Sequence, residues 1–191
     1  TNCGLIGMNA AVEVDGAAYW MSTNGFFRYT GRLESMQCLV EDYVFEDINE
    51  SSNQLINAGI NNLFGEINWW FCTNTSNVVD RCVTYNYLDS TQQRQIWTTN
   101  ASTLFRRTTW EDSSVFGLPH ATAYNADNDS SDVIGNTEGN TIYYEHETGN
   151  NQIGTSGTVA IPANITSGDF DITQDHQVIS PNKLLIPALI N

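Results

Sequence analysis

Between residues 66 and 72 the chain reads Glu-Ile-Asn-Trp-Trp-Phe-Cys. Alternation along a strand puts Ile67, Trp69 and Phe71 on one face and Glu66, Asn68, Trp70 and Cys72 on the other. Each face carries a Trp, so the pattern predicts a strand packed on both sides, as when small sheets stack face to face. A second aromatic and β-branched run, 78–85, follows the polar spacer Thr73-Asn74-Thr75-Ser76-Asn77, which has turn chemistry. The two runs predict a hairpin with a loop of about five residues. Strands at 60–64 and 95–99 complete four antiparallel strands in about forty residues, the size of one β-propeller blade.

The same punctuation recurs on either side. Strands at 11–14, 17–21, 26–29 and 33–38 are separated by Asp15-Gly16, Ser22-Thr23-Asn24-Gly25 and Thr30-Gly31-Arg32. The Asn24-Gly25 pair is expected to supply the left-handed backbone of a tight hairpin. Within 39–58 the pattern becomes helical, with Val40, Val44 and Ile48 spaced by four, Asn49 as an N-cap before Glu50, and Gly59 as a stop. One or two short connecting helices are predicted there. A third unit begins near Thr103, with strands at 104–110, 120–124 and 141–147, a turn at Glu111-Asp112-Ser113-Ser114, and an exposed loop over 125–140. The expected fold class is all-β, built of antiparallel four-stranded propeller blades joined by short helices.

After residue 150 the character changes. Gly154, Gly157 and Gly168 punctuate short strands at 158–161 and 169–172, and Pro162, Pro181 and Pro187 interrupt any long element. The domain reading is therefore a partial propeller of about three blades over 1–150, followed by the incomplete start of another β domain over 151–191. The chain begins at Thr1 with no basic-then-apolar leader, and both ends read as cut from a longer protein.

Composition narrows the function classes. Forty per cent apolar residues in a chain of 191, with five Trp, eight Tyr and eight Phe, argue for a folded β-rich protein. Twenty-two acidic residues against seven basic ones give a net charge of −15, and Lys183 is the single lysine. Such a surface repels phosphate, which argues against nucleic-acid and anionic-membrane binding. The adjacent basic residues Arg106 and Arg107 point to opposite faces if they lie on a strand. No membrane segment is expected, because the run 184–190 is short and contains Pro187. The four cysteines, 3, 38, 72 and 82, lack C-x-x-C spacing, which excludes zinc-ribbon and thioredoxin-like readings. Cys72 and Cys82 meet across the hairpin if its register is symmetric about Asn77, leaving open a disulfide or two buried thiols.

Candidate chemistry is sparse. Glu145-His146-Glu147 is the most tempting cluster, but on a strand the two Glu share one face and His146 takes the other, so the three do not converge on one metal. The alternative is that these side chains tie down a neighbouring loop. His120 follows Pro119 and His176 sits near Asp171 and Asp175, with no H-E-x-x-H or H-x-H spacing. No G-x-S-x-G elbow or phosphate-binding G-x-x-x-x-G-K loop is present. Trp69-Trp70 and Tyr143-Tyr144 suit sugar stacking, or else place one ring in the core and one against an adjacent blade. No catalytic, cofactor-binding or metal-ligating residue is assigned and no enzyme activity is expected. The alternative is a secreted propeller that binds or cleaves glycans.

Ordered runs of the chain resemble the propeller of the tail nozzle proteins of short-tailed bacteriophages, also called tail tubular protein B. The resemblance begins at Asn2-Cys3-Gly4-Leu5-Ile6-Gly7, Val14-Asp15-Gly16, Tyr19-Trp20-Met21 and Gly25-Phe26-Phe27-Arg28-Tyr29-Thr30-Gly31-Arg32. It continues through Val44-Phe45-Glu46-Asp47-Ile48-Asn49, Glu66 with Trp69-Trp70-Phe71, Tyr85-Asn86-Tyr87, Trp110-Glu111-Asp112 and Val115-Phe116-Gly117-Leu118-Pro119. It then takes in Ile142-Tyr143-Tyr144-Glu145-His146-Glu147-Thr148-Gly149 and Ser167-Gly168-Asp169-Phe170-Asp171. The resemblance implies a structural virion protein of the tail, assembled in the host cytoplasm as a hexameric ring. That ring would contact portal-adaptor and tail fibre proteins and enclose the channel through which genomic DNA leaves.

Overall fold

Asp15 and Gly16 both take left-handed backbone, with φ of 51° and 76°, and fold β1 (Ala11–Val14) back on β2 (Ala17–Ser22). This is the tight turn whose twist matches the flanking strands. The next turn differs from expectation: Ser22 pairs with Gly25, the loop is Thr23-Asn24, and neither of these two has positive φ. β3 (Gly25–Tyr29) and β4 (Leu33–Met36) complete the first four-stranded antiparallel sheet, in the order β1-β2-β3-β4. The computed structural model describes residues 3–100, 106–124, 141–154 and 157–161. The expectations for 125–140 and 169–172, and the positions of His176 and Lys183, lie outside them. Thr1–Val159 forms one compact unit and Ala160–Asn191 another.

Two short helical segments connect the first sheet to the second, as the four-residue spacing predicted. In α1 (Glu41–Phe45) the buried residue is Val44; a 3-10 segment (Glu50–Leu55) follows, capped by Asn49, whose side chain accepts from the Ser51 amide at 3.1 Å. The stop lies at Leu55 rather than Gly59. Gly59 sits inside β5 (Asn57–Asn61), which begins three residues before the predicted strand.

The second sheet continues with β6 (Glu66–Phe71), β7 (Arg81–Asn86) and β8 (Ile96–Asn100), ordered β5-β6-β7-β8. Its central hairpin is looser than predicted, because Phe71 pairs with Arg81 and residues 72–80 form the loop. Thr73 and Asp80 close that loop: the Thr73 amide and hydroxyl donate to the Asp80 carboxylate at 2.8 and 2.7 Å. The register pairs Trp70 with Cys82, so Cys72 is not opposite Cys82, and both remain free thiols.

β6 is buried on both faces, as its two Trp residues predicted. Ile67, Trp69 and Phe71 join Tyr19, Met21, Phe26, Val83 and Tyr85 in the core between the first and second sheets. Aromatic rings interlock there, with Phe26 centred 5.0 Å from Trp69 and 4.7 Å from Trp97, and Tyr85 4.8 Å from Trp97. Trp70, Cys72, Val79 and Cys82 form a smaller cluster on the opposite face with Trp110. Trp110 lies on β9 (Thr109–Glu111), which pairs with β10 (His120–Tyr124), and β10 with β11 (Thr141–Glu145). Among the described residues this third sheet has three strands rather than the four of a full blade. β9 also starts later than predicted, leaving Arg106 and Arg107 outside the strand. β12 (Asn151–Gly154) and β13 (Gly157–Ala160) make a two-stranded hairpin.

The chain is thus mostly β, in antiparallel sheets of four, four and three strands. The first strands of successive sheets are neighbours, β1 touching β5 and β5 touching β9. No described helix is long and apolar enough to cross a membrane.

Candidate functional site between the second and third sheets

The two faces of the second sheet differ in chemistry. Toward the first sheet they present Ala58, Ile60, Ile67, Trp69, Val83 and Tyr85. Toward the third they present Asn57, Gly59 and Asn61 from β5, with Glu66, Asn68 and Trp70 opposite them on β6 and Thr84 on β7. Buried polar groups cost free energy unless they are hydrogen-bonded, so this face needs partners from the third sheet.

It finds several. Asn57 Nδ2 donates to the Arg107 carbonyl at 3.0 Å, and Asn61 Nδ2 donates to Glu147 Oε1 at 2.8 Å. Between them Gly59 leaves room for the Trp110 indole: a Cβ at Gly59 would lie 2.7 Å from Trp110 Cβ. Trp110 Nε1 donates to the Ile60 carbonyl at 2.6 Å, and its ring stacks on Trp70 at 5.2 Å. At the same end the Asn62 amide and Nδ2 both donate to Asp112 Oδ2, at 2.7 and 3.0 Å. Asn68 Oδ1 accepts from the Thr84 hydroxyl within its own sheet at 2.5 Å.

Arg107 and His146 lie behind Trp110. Arg107 is 4% exposed; its Nε donates to His146 Nε2 at 2.8 Å and its guanidinium carbon sits 3.9 Å above the Tyr144 ring. Burial pulls the guanidinium down to about 10, with Tyr144 and Cys82 opposing the shift, so it stays charged at neutral pH. Burial, then Arg107, then His120 lower His146 from 6.5 to about 3. The imidazole is therefore neutral at pH 7, and Nε2 serves as the acceptor for Arg107.

Glu145-His146-Glu147 does not continue as one strand. β11 ends at Glu145, and Glu147 takes left-handed backbone with φ of 60°. Glu147 then reaches Asn61 while His146 turns to Arg107, so these side chains do tie down neighbouring segments. Glu66, facing the same seam, is raised by burial and by the charge of Glu147. Among the described residues no three or more His, Cys, Asp and Glu gather in a group fit for a metal.

The remaining candidates separate. His120 lies on the opposite face of the third sheet, in contact through Nδ1 with the Tyr143 hydroxyl, and stacked on that ring at 5.3 Å. Tyr143 is exposed and Tyr144 carries Arg107, so only one Tyr of the pair turns inward. A cleft of about 380 Å³ near the first sheet is lined by Arg28, Arg32, Glu34 and Gln95 among others; its carboxylate, Glu34, is held by Arg28 Nη2 at 2.6 Å. Asn57, Asn61 and Arg107 were not singled out as a site from the sequence. The signal for the two Asn was the period-two run Asn57-x-Gly59-x-Asn61 set against Glu66-x-Asn68-x-Trp70.

Compared with known proteins, the chain matches no protein-family model and no curated protein.

Proposed function

We propose that the chain is a structural segment of a bacteriophage tail nozzle, forming successive blades of a β-propeller in a homo-oligomeric ring around the DNA-ejection channel. The observation that carries this reading is the succession of first strands. The segment leading into β1 meets β5 through an Asn9–Asn57 bridge, and the Ala58 amide donates to the Asn9 carbonyl at 2.8 Å. β5 in turn receives Trp110 of β9 on Gly59. Blades around an axis place their first strands side by side in this way, each sheet packing face to face on the next.

The charge supports the same reading. A wall with a net charge of −15 repels phosphate and lets DNA pass without adhering to it. In this role the ring contacts portal-adaptor and tail fibre proteins in the virion, and the chain's work is mechanical rather than catalytic.

Electron microscopy of the native particle containing this chain tests the proposal. The expected result is a ring of copies stacked on a portal, with the polypeptide tracing the channel wall. A native protein that is monomeric and absent from virions overturns it.

A further inference from the structure

Asn61 stands opposite Glu66 across the β5–β6 ladder and shares its face, while its amide nitrogen donates to Glu147 Oε1 at 2.8 Å. The amide thus holds the carboxylate of the segment after β11 beside the position that Glu66 occupies on the second sheet. Asn61 is only 3% exposed, yet its Oδ1 has no hydrogen-bond partner. A buried amide oxygen left without a donor carries a desolvation cost of about 1–3 kcal/mol. We propose that Glu66, Glu147 and Asn61 Oδ1 form a site for a hard divalent cation of the calcium type, which clamps the second sheet to the third.

Three features converge on a cation rather than on a further hydrogen-bond donor. The available ligands are all oxygens, two anionic and one neutral, the set that calcium takes with water completing its shell. Glu66 is half-buried, and its carboxylate has no hydrogen bond or ion pair among the described residues. Glu66 and Glu147 repel each other, and a divalent ion reverses that repulsion. Glu147 is exposed, which gives the ion a path from solvent. The net charge of −15 raises the local cation concentration over the whole surface.

The site is independent of the nozzle reading. Its test is thermal unfolding of the chain with calcium chloride titrated against sodium chloride of equal ionic strength, together with terbium luminescence sensitised by Trp70 and Trp110. Calcium is expected to give a saturable rise in Tm of about 5 °C. Terbium emission is expected to grow on binding and to be displaced by calcium. Glu66→Gln and Glu147→Gln should fold, as judged by circular dichroism, and lose both responses, whereas Asn61→Asp should keep them. A calcium response matched by sodium chloride, or one that persists in both Gln variants, overturns the site and assigns the effect to the general acidic surface. Absence of any response to calcium in the wild-type chain overturns it as well.

Discussion

At Gly59 the absence of one methyl group lets two sheets meet. Its backbone is unremarkable in φ, so the residue is small to make room for Trp110 rather than to permit a turn. Gly59→Ala forces the indole away from both Trp70 and the Ile60 carbonyl, and is expected to destabilise the chain by about 1–3 kcal/mol in urea titration. His146 acts on the same seam through its charge state. Its folded pKa, about 3, lies below the ordinary 6.5, so as pH falls from 6.5 toward 3 the unfolded chain takes up a proton that the folded chain refuses. Stability from this group is complete above 6.5 and lost across that window. Replacing the imidazole by a group that does not titrate, His146→Gln, should flatten this part of the stability-versus-pH profile relative to the wild-type chain. An unchanged slope would show that His146 is not desolvated as described.

At the scale of elements, period-two alternation told most of the story. The two-faced reading of β6 came from Trp69 and Trp70 alone, and the 11–14 and 120–124 strands keep their predicted bounds. What failed depended on distant partners. Gly59 looked like a helix stop because nothing local announces Trp110, 51 residues on. Of the two readings left open for Cys72 and Cys82, the buried thiols hold, because the hairpin centres on Ser76 instead of Asn77, a one-residue shift that accompanies Thr73 and Asp80 clasping the loop. The seam itself was hidden for a related reason. Arg107 and His146 were each read as strand residues with nothing to pair them, whereas both lie outside the strands and meet at 2.8 Å. The thiols offer a direct check of the corrected register. Burial, then Asp80, pushes Cys72 up to about 11, and burial likewise raises Cys82. Thiolate-directed reagents should leave both unlabelled in the native chain and modify both in urea. Resistance of the pair to labelling in urea without reductant would instead indicate a disulfide.

For the molecule as a whole, the question is what covers the outer face of the first sheet. Trp20 stacks on Phe27 there at 5.8 Å, and its indole nitrogen donates to the Cys3 carbonyl at 2.7 Å, so the N-terminal segment shields the middle of the face. Tyr29 and Leu33, paired across β3 and β4, remain 50% and 43% exposed beside it. The second sheet is covered on both faces and the first on one, so in the propeller reading this face receives another blade, from the rest of a longer chain or from a second copy. Aspartate at both positions separates folding from assembly. Both side chains are about half-exposed in the isolated chain, and two carboxylates facing each other across the strand pair repel, so Tyr29→Asp with Leu33→Asp should lower its stability by only about 1–2 kcal/mol in total. In the ring, two carboxylates would be buried against a neighbouring sheet without partners, at a cost of several kcal/mol. The expected outcome is a folded isolated chain with a slightly lowered urea midpoint, together with loss of rings in electron micrographs of the assembling protein. Rings that form normally with both substitutions would show that the face stays open to solvent and that the blades do not continue on this side.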